Sequence, residues 1–113
     1  MSTVQIEWGN LGRSEAVEQE IHEKSKKIFM HAPTATTLVV HFQIINSANS
    51  AGVSLEKVTM ELRLPKHQDI RAEREGENLY KCIRECKVAL LKQIESHKQI
   101  EHDRAVDKIE TEI

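Results

Sequence analysis

Val58, Met60, Leu62 and Leu64 alternate with Thr59, Glu61 and Arg63. A period of two predicts a strand with one apolar and one polar face. From residue 79 the period changes. Leu79, Tyr80, Ile83, Cys86, Leu90 and Ile94 recur at three- and four-residue steps, the stripe of an amphipathic helix. The same two patterns occur earlier in the chain. Val4, Ile6 and Trp8 alternate with polar residues and predict a short first strand. Val17, Ile21 and Ile28 mark a helix over about 14–30, with Ser14 as a suitable N-cap and Pro33 stopping its continuation. Glu15, Glu18 and Glu20 come early in that helix and Lys24, Lys26 and Lys27 late, the order its dipole favours. Thr37 to Ile45 is rich in β-branched residues, with Leu38, Val40, Phe42 and Ile44 on one face.

The punctuation between these elements gives their order. Residues 46–52, Asn-Ser-Ala-Asn-Ser-Ala-Gly, form a polar hairpin connector. Pro65-Lys66-His67 is a tighter turn into a fourth strand expected over 67–74, and Asn78 is placed to cap the second helix. The order is β-α-β-β-β-α. A strand–helix–strand start favours a right-handed crossover with the first two strands parallel, and the hairpins then add antiparallel strands. With one apolar stripe per helix, the economical α+β arrangement is two layers: a four-stranded sheet carrying both helices on one face. Residues 1–100 are read as one domain. Residues 101–113, where the stripe thins to Val106, Ile109 and Ile113, are read as an acidic, flexible C-terminal tail.

Composition narrows the class without naming a function. Of 113 residues, 39% are apolar and 30% charged, as in an ordinary globular chain large enough to fold without metals or disulfides. No apolar run approaches the roughly 20 residues of a membrane span, and the first residues lack the pattern of a secretory signal. A cytoplasmic, reducing compartment is expected, since Cys82 and Cys86 lie one helical turn apart and make no disulfide framework. The net charge of −2 conceals a split. Residues 101–113 hold five acidic side chains against two basic, a net −3, which leaves +1 for residues 1–100.

Candidate chemistry is sparse. There is no glycine-rich phosphate loop, no Gly-x-Ser-x-Gly and no His-Glu-x-x-His, so no catalytic role is expected, and neither a cofactor nor a small-molecule substrate. The histidines at 22, 31, 41, 67, 97 and 102 are scattered. Cys82 and Cys86 have a spacing that could share a metal, but zinc needs two more ligands and none is near in sequence, so core packing is the expectation and no metal. The basic residues are more suggestive. On a helical wheel Lys81, Arg84 and Lys92 face solvent, Lys87 and Lys98 flank the stripe of the second helix, and Lys24 and Lys27 flank that of the first. Two helices side by side would join them into one surface able to cross a phosphate backbone. Glu20 and Glu23 interrupt it on one helix, Glu85 and Glu95 on the other.

Three features together resemble the ribosome hibernation factors, the family of hibernation promoting factor and protein Y (ribosome-associated inhibitor A). They are "LP" closing one strand, "IRAE" in the next, and Leu79-Tyr-Lys-Cys-Ile continuing to Lys98 in the helix. In that family the helix opens on an acidic-Met-Tyr motif and ends near Gln-aliphatic-x-x-x-Lys. The matching positions are Asn78-Leu79-Tyr80 and Gln93-Ile94 with Lys98. The resemblance implies a two-layer fold related to double-stranded RNA-binding domains. It also implies a negative regulator of translation, active under stress, that binds the small ribosomal subunit and its rRNA in the decoding channel, where messenger and transfer RNA would sit. Lys24, Lys27, Lys81, Arg84, Lys87, Lys92 and Lys98 are then the expected rRNA-binding residues. The chain departs from the family at Ala89, commonly lysine, at Arg84, commonly acidic, at Asn78, commonly acidic, and at Glu18, where a base is frequent. These departures leave room for another function: a relative that keeps the fold as a protein-interaction module.

Overall fold

The computed structural model describes the backbone of residues 3–46 and 54–111; the side chains of 46, 54, 67 and 97–111 are not described. The elements run β1 (Thr3–Glu7), α1 (Glu15–His31), β2 (Thr37–Asn46), β3 (Ser54–Arg63), β4 (Ile70–Gly76) and α2 (Leu79–Thr111). They form one four-stranded sheet in the order β1-β2-β3-β4. β1 lies parallel to β2, Val4 opposite Leu38, and the other two pairings are antiparallel, with Phe42 opposite Val58 and Met60 opposite Ala72. The α+β order and sheet expected from the periodicities are those observed.

Side-chain parity explains the layers. Leu38, Val40 and Phe42 of β2, Val58, Met60 and Leu62 of β3 and Ala72 of β4 all point to one face and are buried there. Val17, Ile21 and Ile28 of α1 and Ile83, Cys86, Leu90 and Ile94 of α2 close over them as one cluster. Each fully buried aliphatic or aromatic side chain contributes about 1.5–3 kcal/mol relative to exposure, so this layer contact dominates stability. The opposite face stays open. It carries Glu7 with His41 (2.7 Å), Lys57 with Glu73, and Arg63 with Glu61 (3.6 Å).

Local chemistry sets the ends of the elements. The Ser14 hydroxyl accepts from Val17 N at 3.4 Å, and Asn78 Oδ1 accepts from Lys81 N at 3.2 Å, so both expected caps are formed. After β1, Gly9 turns at φ +59° with its α-carbon against the backbone of Phe42. Asn10 then acts as a strand surrogate: its amide accepts from Ile44 N (2.7 Å) and donates to Ile44 O (3.0 Å) beyond the last β1 pair.

Three expectations need correction. The fourth strand begins at Ile70, later than residue 67, because Pro65–His67 winds into a 3₁₀ turn with Lys66 left-handed (φ 62°) and Asp69 Oδ1 accepting from Leu64 N at 3.0 Å. Leu64 therefore lies past the end of β3, although it still packs on the core. Tyr80 is 42% exposed and stands outside the buried stripe, whereas Leu79 packs against the core as expected. α2 is continuous from Leu79 to Thr111.

Candidate nucleic-acid interface

α1 and α2 pack against each other on the sheet, and their contact assembles the basic residues. Lys87 leaves the flank of α2 half-buried, because its position borders the stripe of Cys86 and Leu90. Burial pushes its pKa below the usual lysine range, and Lys27, Lys24 and Arg84 push it the same way, with Glu20 opposing. Such mutual repulsion requires proximity. Lys24 and Lys27 of α1 and Arg84 of α2 thus share the electrostatic field at Lys87, across the contact between the two helices. Lys24 also pairs with Glu20 at 3.0 Å, which offsets part of the positive field.

Lys92 adds a further cation along α2. It shares a hollow of about 360 Å³ with Lys87, Val88, Leu91 and Glu95. A second hollow beside it, about 580 Å³, is lined by Arg74, Arg84 and Lys92 with one carboxylate, Glu85, and by Val88, Ala89 and Gln93. Arg74 is the residue that sequence reasoning missed. It sits on β4 opposite Val58, two residues from buried Ala72 and so on the helix-bearing face, and it reaches Glu85 at 4.0 Å. The signal available was its parity with Ala72: an arginine at an inward position near a strand end must emerge at the edge of the helix layer. Gln93 Nε2 donates to the backbone oxygen of Arg71 at 2.8 Å, tying α2 to the β4 edge beside these cations.

Lys81 stands apart. Its hollow at the start of α2 is lined by Glu75, Glu77 and Glu85, with Gly76, Asn78 and Cys82 completing the wall. An anionic ligand there meets three carboxylates. The side chain of Lys98 lies outside those described, so of the seven expected residues five converge, one is separated by acidic neighbours and one is unplaced.

Neither cysteine faces this surface. Cys86 donates to Val58 O at 3.4 Å and Cys82 to Glu56 O at 3.9 Å, and burial pushes the Cys86 thiol up to about 12. These are packed thiols without nucleophilic character. Among the described residues no three His, Cys, Asp or Glu side chains converge as a metal site.

Comparison with known proteins adds a family and a fold. The model of the family described as sigma 54 modulation protein / S30EA ribosomal protein matches residues 4–101. Among solved structures, a ribosomal subunit interface protein from Coxiella burnetii is 20% identical with a TM-score of 0.71, covering 86% of this chain and 98% of that one. The N-terminal domain of Thermus thermophilus protein Y is 16% identical with a TM-score of 0.59, covering 85% and 94%. No curated protein sequence matches. At these identities the two structures speak for the fold.

Proposed function

The chain belongs to the sigma 54 modulation protein / S30EA ribosomal protein family, and from that membership we propose that it is a ribosome-associated inhibitor of translation that acts by occupancy. It binds the small subunit in the decoding channel, in the cytoplasm, and denies that channel to messenger and transfer RNA. The observation that carries this reading is the family match over residues 4–101, and the packing of α1, which bears Lys24 and Lys27, against α2, which bears Arg84, Lys87 and Lys92, supports it. Cations on two rigid, neighbouring helices match a phosphate backbone without paying ordering entropy on binding, and recognition through phosphate and shape suits folded rRNA. Lys92 and Arg74 widen the surface along α2 and onto β4, and Lys98 would lengthen it. A two-layer wedge with a packed core suits this role, since a blocking protein must resist deformation and needs no chemistry of its own.

The test is co-sedimentation with ribosomes and isolated 30S subunits on sucrose gradients at low and moderate salt. Binding to 30S that weakens steeply with salt supports the proposal. Absence of binding at low salt sinks it and favours the interaction-module reading, which draws on a specific observation: Lys81 is surrounded by Glu75, Glu77 and Glu85, so the basic surface is not continuous along α2.

A further inference from the structure

We propose that the free edge of β1 is a self-pairing site, at which two copies of this chain join as antiparallel strands through Val4 and Ile6 around a two-fold axis at Gln5. The inference does not rest on the ribosome reading above. Three features of the edge point to it.

The first is the direction of the backbone groups. β1 ends the sheet, with β2 beside it. Thr3 N donates to Thr36 O at 3.0 Å, so Thr3 is turned toward β2. Alternation along a parallel strand then turns Gln5 and Glu7 the same way, and turns the N–H and C=O of Val4 and Ile6 outward. Among the described residues nothing takes these outward groups up. Farther along the same side the chain does supply a partner, since Asn10 accepts from Ile44 N and donates to Ile44 O. The second feature is the lack of protection against another strand. β4, the opposite edge, carries charges at Arg71, Glu73, Arg74 and Glu75, and Gln93 donates to Arg71 O at 2.8 Å. β1 carries only Glu7, which His41 holds at 2.7 Å, and has no lysine, proline or bulge.

The third is the match of β1 with itself. Centred on Gln5, an antiparallel pairing sets Val4 opposite Ile6 of the second copy and Thr3 opposite its Glu7. Val4 and Ile6, both turned outward, then form hydrogen-bonded pairs that exchange backbone bonds in both directions. The two Gln5 side chains meet as a non-hydrogen-bonded pair on the open face. No like charges stand opposite one another. Opposed residues share a face, so the half-buried Val4 and Ile6 of both copies lie together beside the two cores. A foreign strand would need a sequence chosen for this edge, whereas a second copy supplies one with every position already matched.

The full chain is followed by sedimentation from about 10 μM to about 1 mM, because two five-residue strands bury less than the roughly 1,200 Å² of a stable interface and give a weak dimer. Amide hydrogen exchange is read across the same range. Val4 and Ile6 are expected to gain protection several-fold as the dimer fills, while Gln5 and Glu7, already bonded to β2, change little. Gln5→Lys and Gln5→Glu chains should each stay monomeric, and an equal mixture of the two should associate again. Gln5→Cys chains should cross-link under mild oxidation about tenfold faster than Thr3→Cys chains, because the pairing opposes position 5 with itself at about 4.5 Å and position 3 with position 7. Cys82 and Cys86 are buried and do not compete. A chain that stays monomeric throughout that range overturns the proposal and leaves the edge to a strand of another protein. A dimer in which Val4 and Ile6 stay unprotected, or one indifferent to the charges placed at Gln5, overturns it equally.

Discussion

Replacing Lys87 with Met should stabilise the protein and weaken its binding, two effects of opposite sign from one charge. The ammonium is disfavoured in the folded state because it is partly buried and faces Lys27, Lys24 and Arg84, with only Glu20 in its favour. Each exposed like-charge neighbour costs a few tenths of a kcal/mol, and Glu20 returns about as much as one of them takes, so the net gain on removing the charge is about 0.5 kcal/mol. Methionine keeps the apolar stem that borders the α2 stripe, so little packing is lost. In a domain of this size, that gain raises the melting temperature by about 2–4 °C. Circular dichroism melts at about 20 mM and 200 mM salt are the assay, because a shorter Debye length screens the repulsion and should shrink the gain. The pH dependence has a matching sign. A lysine whose folded pKa is lowered binds fewer protons folded than unfolded in the window just below 10.5, so stability rises with pH there, and the substituted protein should lose that rise. On ribosomes the variant should bind more weakly, with a salt slope shallower by about 0.7–0.9. A melting temperature that falls, or a gain indifferent to salt, would refute the picture of Lys87 as a cation held among cations.

Lys92→Glu should weaken ribosome binding and flatten its salt slope by about one unit or more, whereas Lys81→Glu should change little, because Glu75, Glu77 and Glu85 already surround it; gradient binding across a salt series reads both. Gly9→Ala should destabilise by about 2–4 kcal/mol in denaturant melts, since a β-carbon there would lie 2.4 Å from Phe42 O and the φ of +59° adds about 1 kcal/mol or more of its own. Deleting residues 101–113 should shift stability by less than about 1 kcal/mol by the same assay, because their sequence offers only the thin stripe of Val106, Ile109 and Ile113; a larger loss would show that the end of the helix packs as structure.

The fold was legible in the sequence because its causes are local and periodic. Alternation at 58–64 and the helical stripe from 79 each specify an element and the face it buries, and Phe42, Leu62, Ile83 and Leu90 fall in the core that those faces imply. Ser14 and Asn78 were recognisable caps because a cap needs only the right side chain at the right offset. The 3₁₀ turn at 65–67 was less legible, since it depends on a left-handed Lys66 and on a bond from Leu64 N to the Asp69 carboxylate that no period announces. Charge was legible residue by residue and not as a surface. The helical wheel placed Lys24, Lys27, Arg84 and Lys87 on suitable flanks, yet only the packing of α1 against α2 brings them within reach of each other. The same wheel grouped Lys81 with Arg84; Glu77 and Glu85, four residues to either side of Lys81, were visible along the chain, and the end of β4 adds Glu75 beside them. Arg74 joined the surface by a third route, from a different element and across the sheet edge. Hydrophobic pattern acts along the chain and can be counted there, whereas an electrostatic field sums over neighbours in space, so it exists only once tertiary structure has chosen them.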